Sequence, residues 1–353
     1  MANTCTPPLA ATCAADKGLL RSKPATVRAS NIELLRIIAM FLVLVVHADF
    51  WALGGPSAED FAGAPLNAFT RTFIQSLSIV CVNVFILISG WFGIRASVKG
   101  LSNFVFQCAY FLFGIYAVML LTGTAELSVK GIAGCLCLTS ANWFIRAYVA
   151  LYILSPILNA FVEKATKRQM AVFLTAFYLF QTIYGWSGAA KFVEMGYSCF
   201  SFIGLYLLAR FARTYGSEIY KMGGGIYMLT VAANTVLYYL LTKIGIWVDV
   251  YAYVNPLVVL GALGLIMWFG QLDIRPNKFI NWVAKSSFAV FLIHSNPNIG
   301  EQVFKPLMID LYRNHNGLFG LLTTFFVLLA IYAAGVLLDQ PRKWLWKAIG
   351  SKI

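Results

Sequence analysis

The chain contains little charge, since only 12% of its 353 residues are Asp, Glu, Lys or Arg. Soluble globular domains carry about 25%. At 60% hydrophobic residues, a water-soluble fold would expose apolar patches far larger than soluble monomers tolerate. The same hydrophobicity excludes a disordered chain, which has too few apolar residues to form a core. The composition therefore predicts an integral membrane protein.

Cysteine is also scarce, with seven residues in the chain. This number is too small for a secreted scaffold held together by disulfides, and it is odd, so the cysteines could not all pair. Cys135 and Cys137 lack a second pair at zinc-ligand spacing, so we expect no metal site. The net charge is +13, but the basic residues lie in short clusters between apolar stretches. This distribution is typical of membrane-protein loops rather than of a nucleic-acid-binding surface.

Long apolar runs predict an all-α, polytopic membrane bundle of about ten transmembrane helices. A helix needs about 20 mostly apolar residues to cross roughly 30 Å of hydrocarbon. The runs are continuous rather than alternating, which disfavours a transmembrane barrel. The ten predicted segments are 32–51, 70–94, 101–123, 142–162, 168–187, 197–213, 224–242, 252–272, 279–297 and 317–338.

Lys and Arg are distributed unequally between the two sides of this topology, and the excess predicts that both termini are cytoplasmic. Residues 1–30 are expected to form a flexible cytoplasmic tail, 31–346 the transmembrane domain, and 347–353 a short basic cytoplasmic end. All but seven of the 27 basic residues fall on the cytoplasmic side. The seven on the opposite side are Arg71, Lys130, Arg146, Lys191, Lys243, Lys305 and Arg313.

The first segment contains residues that a bilayer penalises, namely Glu33, Arg36 and His47, with Asp49 near its outer end. An Arg or Asp at mid-helix costs about 2.5–3.5 kcal/mol on insertion scales. Arg36 and His47 are 11 residues apart, close to three full turns, so they share one helix face about 16 Å apart. The pattern predicts a cation near the cytoplasm and a titratable imidazole in the outer half of the membrane.

Each residue taken singly also has a simpler interpretation. In it, Arg36 anchors the helix at the membrane interface, and His47 is a polar residue whose hydrogen bonds are made between helices. Further polar residues lie at the outer ends of other segments. Asn142, Trp143 and Arg146 open the fourth segment, and His294 lies near the outer end of the ninth.

Four motifs follow one another along the chain: Arg36-x10-His47, SGWFGIR ending at Arg95, WFIRAYVALYILSPILN starting at Trp143, and SSFAVFLIHSNP, which contains His294. In this order they resemble the acyltransferase-3 family of bacterial integral membrane O-acyltransferases. The resemblance covers roughly residues 31 to 346. One departure is that Arg95 is followed by Lys99 rather than by the clustered second arginine found in many members.

The resemblance implies transfer of an acyl group, usually acetyl from acetyl-CoA, to a hydroxyl of an extracytoplasmic glycan or lipid-linked sugar. It also implies a location in the bacterial cytoplasmic (inner) membrane and a part in modifying cell-envelope polysaccharide. Acetyl-CoA would act as a cosubstrate, and no metal is expected.

Roles for individual residues follow when this reaction is placed along the helix face that carries Arg36 and His47, which we call the Arg36–His47 stripe. Arg36, Arg95 and Lys99 are predicted to bind the phosphates of CoA. His47 is predicted to act as general base, with a covalent acyl-histidine as the open alternative, and Arg146 to stabilise the oxyanion. The residues predicted to contact the acceptor are Asn142, Trp143 and His294.

A proton-coupled secondary transporter is the main alternative function, because transporters also place Arg and His inside a helical bundle. The absence of visible duplicated halves and the order of the four motifs favour the enzyme. A purely structural membrane protein is a third possibility, which leaves the Arg36–His47 stripe unexplained.

Overall fold

The computed structural model describes residues 29–315 and 317–350, and every regular element in these ranges is helical. This confirms the all-α prediction for the described part of the chain. The expected N-terminal tail, 1–30, lies outside the described residues except for its last two, and 351–353 of the expected C-terminal end lie outside them as well.

Sixteen α-helices follow one another along the described chain, and π-helical turns extend three of them, at His47–Trp51, Gln181–Gly185 and Gly300–Phe304. The helices are α1 (Ser30–Val46), α2 (Ala58–Gly63), α3 (Pro65–Ser78), α4 (Cys81–Phe92), α5 (Val98–Leu121), α6 (Val129–Cys135), α7 (Trp143–Lys164), α8 (Lys167–Phe180), α9 (Cys199–Tyr215), α10 (Gly223–Ile244), α11 (Pro256–Gln271), α12 (Lys278–Ala284), α13 (Ser287–His294), α14 (Pro297–Ile299), α15 (Lys305–Asn314) and α16 (Gly317–Ile349).

Six helical stretches in the described residues are long and apolar enough to cross a membrane. They are Ser30–Trp51, Pro65–Phe92, Val98–Leu121, Val129–Lys164, Ser217–Ile244 and Gly317–Ile349. The protein is therefore a multi-pass helical membrane protein.

The other four predicted segments coincide with shorter helices: α8 with its π-helical turn, α9, α11, and the pair α12–α13. The last of these is interrupted at Lys285 and Ser286, where the sequence analysis drew one continuous span. The count of ten spans and the sides of the termini stay predictions.

Helix α1 lies at the centre of the bundle, because it packs against α3, α4, α11, α12 and α13. Leu35, Ala39 and Leu44 on this helix are fully buried. A central helix that carries polar residues is a favourable place for a site, since its side chains face other protein elements rather than lipid.

Close packing of α4 against α9 depends on Gly90, the glycine of the SGWFGIR motif. A Cβ added to Gly90 would collide with the carbonyl oxygen of Tyr206 and lie 2.9 Å from Cβ of Ala209. We expect Gly90→Ala to lower the free energy of unfolding by about 1–3 kcal/mol, because overpacking forces backbone shifts. Denaturation in detergent measures this change.

The control is Gly114→Ala on α5, where an added Cβ meets nothing within 4 Å. This change should be neutral or stabilise by up to about 1 kcal/mol, since alanine restricts the unfolded chain. Equal effects of the two substitutions would contradict the packing argument.

Candidate active site

Two histidines from distant parts of the chain meet at one end of the bundle. Nδ1 of His47 lies 3.0 Å from Nε2 of His294. His47 opens the π-helical turn that extends α1, and His294 is the last residue of α13. His294 is buried, at 1% exposure. Single π-helical turns inside α-helices are frequent at functional sites, and here one carries the imidazole that the sequence singled out.

The hydrogen bonds of this pair define which nitrogen carries each proton. Nδ1 of His294 lies 2.6 Å from the carbonyl oxygen of Val290, and because a carbonyl only accepts, Nδ1 donates. Nε2 of neutral His294 is then an acceptor, so Nδ1 of His47 donates to it. This chain of donors leaves Nε2 of neutral His47 unprotonated, with a lone pair that can accept a proton.

An ion pair fixes the turn that carries His47. Nε of Arg71 donates to Oδ1 of Asp49 at 2.7 Å, and Nη2 of Arg71 donates to the carbonyl oxygen of Gly54 at 2.5 Å. Both charged side chains are largely buried. A guanidinium that holds a carboxylate and a carbonyl together limits the orientations of the turn between them.

Aromatic contacts hold the same turn from its other side. The Trp51 ring lies 5.1 Å from the His47 ring between centroids, and the His294 ring lies 5.4 Å from Phe304. Gly300 allows this arrangement, because a Cβ there would approach the Trp51 ring at 2.8 Å. The histidine pair therefore lies in a mostly apolar setting, which strengthens hydrogen bonds between its members.

A cavity of about 470 Å³ opens near the Arg36 end of α1. Its lining residues come from α1, α4, α5, α7, α13, α16 and the α12–α13 junction. They include five cations and no carboxylate. The cations are Arg36, Lys285, Arg342, Lys343 and Lys347. A cavity of this size and charge fits an anionic small molecule.

A fully buried carboxylate organises the α16 wall of this cavity. Asp339 accepts from Nε and Nη2 of Arg342 at 2.9 and 3.0 Å, and Nζ of Lys343 lies 3.5 Å away. Nε2 of Gln107 on α5 donates to Asp339 at 3.4 Å. Glu33 plays a similar part for Arg36 at 3.6 Å. These contacts orient three of the five cations, Arg36, Arg342 and Lys343.

Helix α13 connects the cavity to the histidine pair. Phe288, Phe291 and His294 are spaced three residues apart on it, and Phe288 lines the cavity. The ring centroids lie 5.8 Å apart between Phe288 and Phe291, and 6.1 Å between Phe291 and His294. Phe291 therefore lies between Phe288 of the cavity lining and the imidazole of His294.

Of the three residues predicted to bind CoA, the structure places Arg36 in the cavity lining and the other two outside it. Arg95 is exposed, and Nζ of Lys99 donates to the carbonyl oxygen of Gly350 at 2.6 Å. The cavity cations Lys285, Arg342, Lys343 and Lys347 were not predicted from the sequence. Asp339, an acid at the end of a long apolar run, is the sequence signal from which this wall could have been predicted.

The structure does not bring Arg146 to the histidine pair in any described contact. Its Nη1 donates to the carbonyl oxygens of Thr139 and Cys137, and the residue is exposed. Nδ2 of Asn142 donates to the carbonyl oxygen of Gly134 at 2.8 Å. Both side chains stabilise the loop that precedes α7.

Trp143 belongs to an aromatic cluster on the same end of α7. Its ring centroid lies 4.6 Å from that of Tyr197 and 6.2 Å from that of Tyr253. Tyr197 is 38% exposed, and it follows a turn in which Glu194 and Met195 both have positive φ. Such strained backbone persists only where the surroundings over-determine it.

Among the described residues, no group of three or more His, Cys, Asp or Glu side chains is placed to hold a metal ion. The chemistry this site offers is acid–base chemistry on an imidazole at one end of α1 and anion binding at the other.

These features define a class of protein: a multi-pass helical membrane protein with a histidine pair and a basic cavity joined by one central helix. The chain matches the family described as Acyltransferase domain over residues 30–339, and it belongs to that family. The predicted resemblance is thereby confirmed, and the protein is a membrane acyltransferase. No curated protein and no solved structure matches the sequence.

Proposed function

We propose that this acyltransferase moves an acetyl group from cytoplasmic acetyl-CoA to a hydroxyl of an extracytoplasmic glycan or lipid-linked sugar in the bacterial inner membrane. The observation that carries the proposal is that α1 contributes Arg36 to the basic cavity and His47 to the histidine pair. The 11 residues between them span about 16 Å along the helix. Helix α1 thus connects the proposed donor site at Arg36 with the proposed reacting group, the imidazole of His47.

The cavity suits the charges and shape of CoA. Its cations would attract the phosphates, for which guanidinium and ammonium groups are the usual protein partners. The lining also includes Phe104, Phe144 and Phe288, which would offer apolar surface to the pantetheine arm. Phosphates held at the mouth stay out of the hydrocarbon, where a buried charge is very costly.

His47 would act as general base through Nε2. The acceptor hydroxyl gives its proton to this nitrogen while its oxygen attacks the thioester carbonyl carbon, and the carbon–sulfur bond breaks. The leaving CoA thiolate takes the proton back from the imidazolium. The alternative is an acetyl group held transiently on Nε2 itself. The oxyanion role suggested for Arg146 would require this side chain to leave two loop carbonyls, and it stays a prediction.

The acceptor would lie near the aromatic cluster of Trp143, Tyr197 and Tyr253. Aromatic rings present apolar faces to the C–H faces of sugars, and their polar edges reach hydroxyls. The cluster reaches the histidine pair through Phe144 and Phe291, whose ring centroids lie 5.6 Å apart. The predicted acceptor contacts of Trp143 and His294 therefore belong to one continuous aromatic layer.

Donor binding is the most direct test of the cavity. We expect the double variant Lys285→Ala, Lys347→Ala to raise the Kd of acetyl-CoA about tenfold, because two exposed charge pairs contribute about 0.2–1 kcal/mol each and 1.4 kcal/mol is tenfold. Labelled acetyl-CoA and purified protein in lipid nanodiscs provide the measurement. The difference should shrink as salt is added.

The matched control is the double variant Arg95→Ala, Lys99→Ala, which removes two cations at the same end of the bundle but outside the cavity lining. It should leave the Kd nearly unchanged. A larger effect from the control than from the cavity variant would place the CoA phosphates at Arg95 and Lys99 instead. Absence of saturable binding together with proton-coupled uptake of a solute would favour the transporter.

Mass spectrometry of cell-surface glycans from cells with and without the protein tests the acceptor. Loss of the mass increment of one acetyl group from a glycan in cells lacking the protein would identify the modified sugar. Unchanged glycans, with donor binding intact, would contradict a glycan acceptor.

A further inference from the structure

A second cavity lies away from the histidine pair and from the basic cavity. It has a volume of about 400 Å³ and lies between α8, α9 and α11. Its walls are almost entirely apolar. They include Ala171, Leu174 and Tyr178 from α8 and Phe211 from α9. We call it the α8–α9 groove.

The groove faces the perimeter of the bundle. Val172, next to the lining residue Ala171 on α8, and Leu260 on the α11 wall are exposed. In a membrane protein these exposed apolar side chains contact lipid, so the surroundings of the groove are acyl chains. An open apolar groove in this setting is filled by hydrocarbon.

A cation lies at one end of the groove. Lys167, Ala171, Leu174 and Tyr178 recur at helical spacing and share one face of α8. Nζ of Lys167 lies 5.6 Å from the ring centroid of Tyr215. The Tyr215 ring lies 5.2 Å from that of Phe211, which lines the groove. The α8 stripe therefore runs from a charged end into the apolar groove.

The charge around this end is positive. The segment 163–168 contains three cations, Lys164, Lys167 and Arg168, and one carboxylate, Glu163. A cation that borders a hydrocarbon-filled groove matches a phospholipid, whose phosphate lies at the interface and whose chains extend into the bilayer.

We propose that the α8–α9 groove binds one acyl chain of an anionic phospholipid from the surrounding bilayer, with its phosphate at Lys167 and Arg168. This site is independent of the acyl-transfer reaction, because it shares no lining residue with the basic cavity and includes neither histidine of the pair. Its occupant is a structural lipid that bridges α8, α9 and α11.

Native mass spectrometry of delipidated protein, titrated separately with phosphatidylglycerol and phosphatidylcholine, tests both parts of the proposal. We expect Lys167→Ala, Arg168→Ala to weaken phosphatidylglycerol binding about tenfold or more, since each basic residue near the surface contributes about 1 kcal/mol toward an anionic lipid. Phosphatidylcholine binding should change little. The matched control is Arg275→Ala, Lys278→Ala, which removes two exposed cations at and just before the start of α12, outside the segment 163–168 and the groove lining, and it should keep wild-type binding.

A pair of equal substitutions tests the groove itself. Ala171→Phe fills the groove and should reduce binding of both lipids, whereas Ala176→Phe adds the same ring to the opposite, exposed face of α8 and should not. Equal binding by the two phenylalanine variants would overturn the groove assignment. Equal binding of both lipids by wild-type protein, unaffected by loss of Lys167 and Arg168, would overturn the anionic headgroup.

Discussion

Replacing His47 by alanine is expected to lower acetyl transfer by about 10²–10⁴-fold, the contribution of a positioned general base. Nε2 of His47 is the free basic nitrogen of the pair, because Nδ1 donates to His294. Acetyl-CoA binding should be retained, since His47 does not line the basic cavity. Single-turnover transfer from labelled acetyl-CoA, measured beside donor binding, separates the two effects.

The chain provides a matched control, because it has three histidines and the third lies elsewhere. His315 follows α15, with Nδ1 3.3 Å from the carbonyl oxygen of Leu311, and belongs to neither the pair nor the cavity lining. His315→Ala should therefore keep wild-type turnover. Near-normal transfer by His47→Ala in folded, donor-binding protein would falsify the general-base assignment.

Exchange of labelled CoA into acetyl-CoA without any acceptor present would indicate the acetyl-histidine route, because a covalent intermediate releases CoA before the acceptor reacts. Absence of this exchange, with transfer intact, would favour direct attack by the acceptor. Both routes use the same nitrogen, so the loss expected for His47→Ala does not depend on the choice between them.

Much of the α1 stripe was predictable from the sequence because it is local. Helical spacing alone put Arg36 and His47 on one face. Glu33 is three residues before Arg36, a spacing at which side chains on a helix are neighbours, and the two lie 3.6 Å apart. The partner of His47 was not predictable in this way. His294 is 247 residues away, and periodicity defines the face of a helix without saying which distant helix covers it.

The cavity cations were missed for a related reason. Basic residues at the end of an apolar run are ordinary markers of orientation, so Lys285, Lys343 and Lys347 carried no separate signal. They become neighbours only because α16 packs against α13 and α5. Arg95, which ends the SGWFGIR motif, was predicted to bind CoA, yet it lies on the exposed connection between α4 and α5.

In the fold as well, local features were predictable from the sequence and features that depend on tertiary contacts were not. Hydrophobic runs located the helices, but not the interruption between α12 and α13 or the π-helical turn at His47–Trp51. Both irregularities come from tertiary contacts. Ser286, at the interruption, accepts hydrogen bonds from Lys343 and Gln340 on α16, and the turn is held by Arg71 from α3.

The second large effect is expected from Arg342→Ala, which should lower the free energy of unfolding by about 3–5 kcal/mol. Asp339 is fully buried, and Arg342 supplies both of its guanidinium bonds. Removing one partner of a buried ion pair leaves the other charge uncompensated, and that penalty dominates the loss. Nζ of Lys343 lies 3.5 Å from the same carboxylate. It still compensates part of the Asp339 charge in this variant and so limits the loss of stability. Reversible unfolding in mixed micelles measures it.

A double variant separates this penalty from simple loss of contacts. Asp339→Asn, Arg342→Met removes both charges and keeps similar volumes, and buried pairs replaced in this way are often neutral or stabilising. It should therefore recover most of the stability that Arg342→Ala loses, while acetyl-CoA still binds more weakly because a cavity cation is gone. If the double variant were as unstable as the single one, the pair would stabilise the fold through its contacts. If it regained donor affinity as well, Arg342 would serve only to neutralise Asp339, and the phosphates would depend on the other four cations.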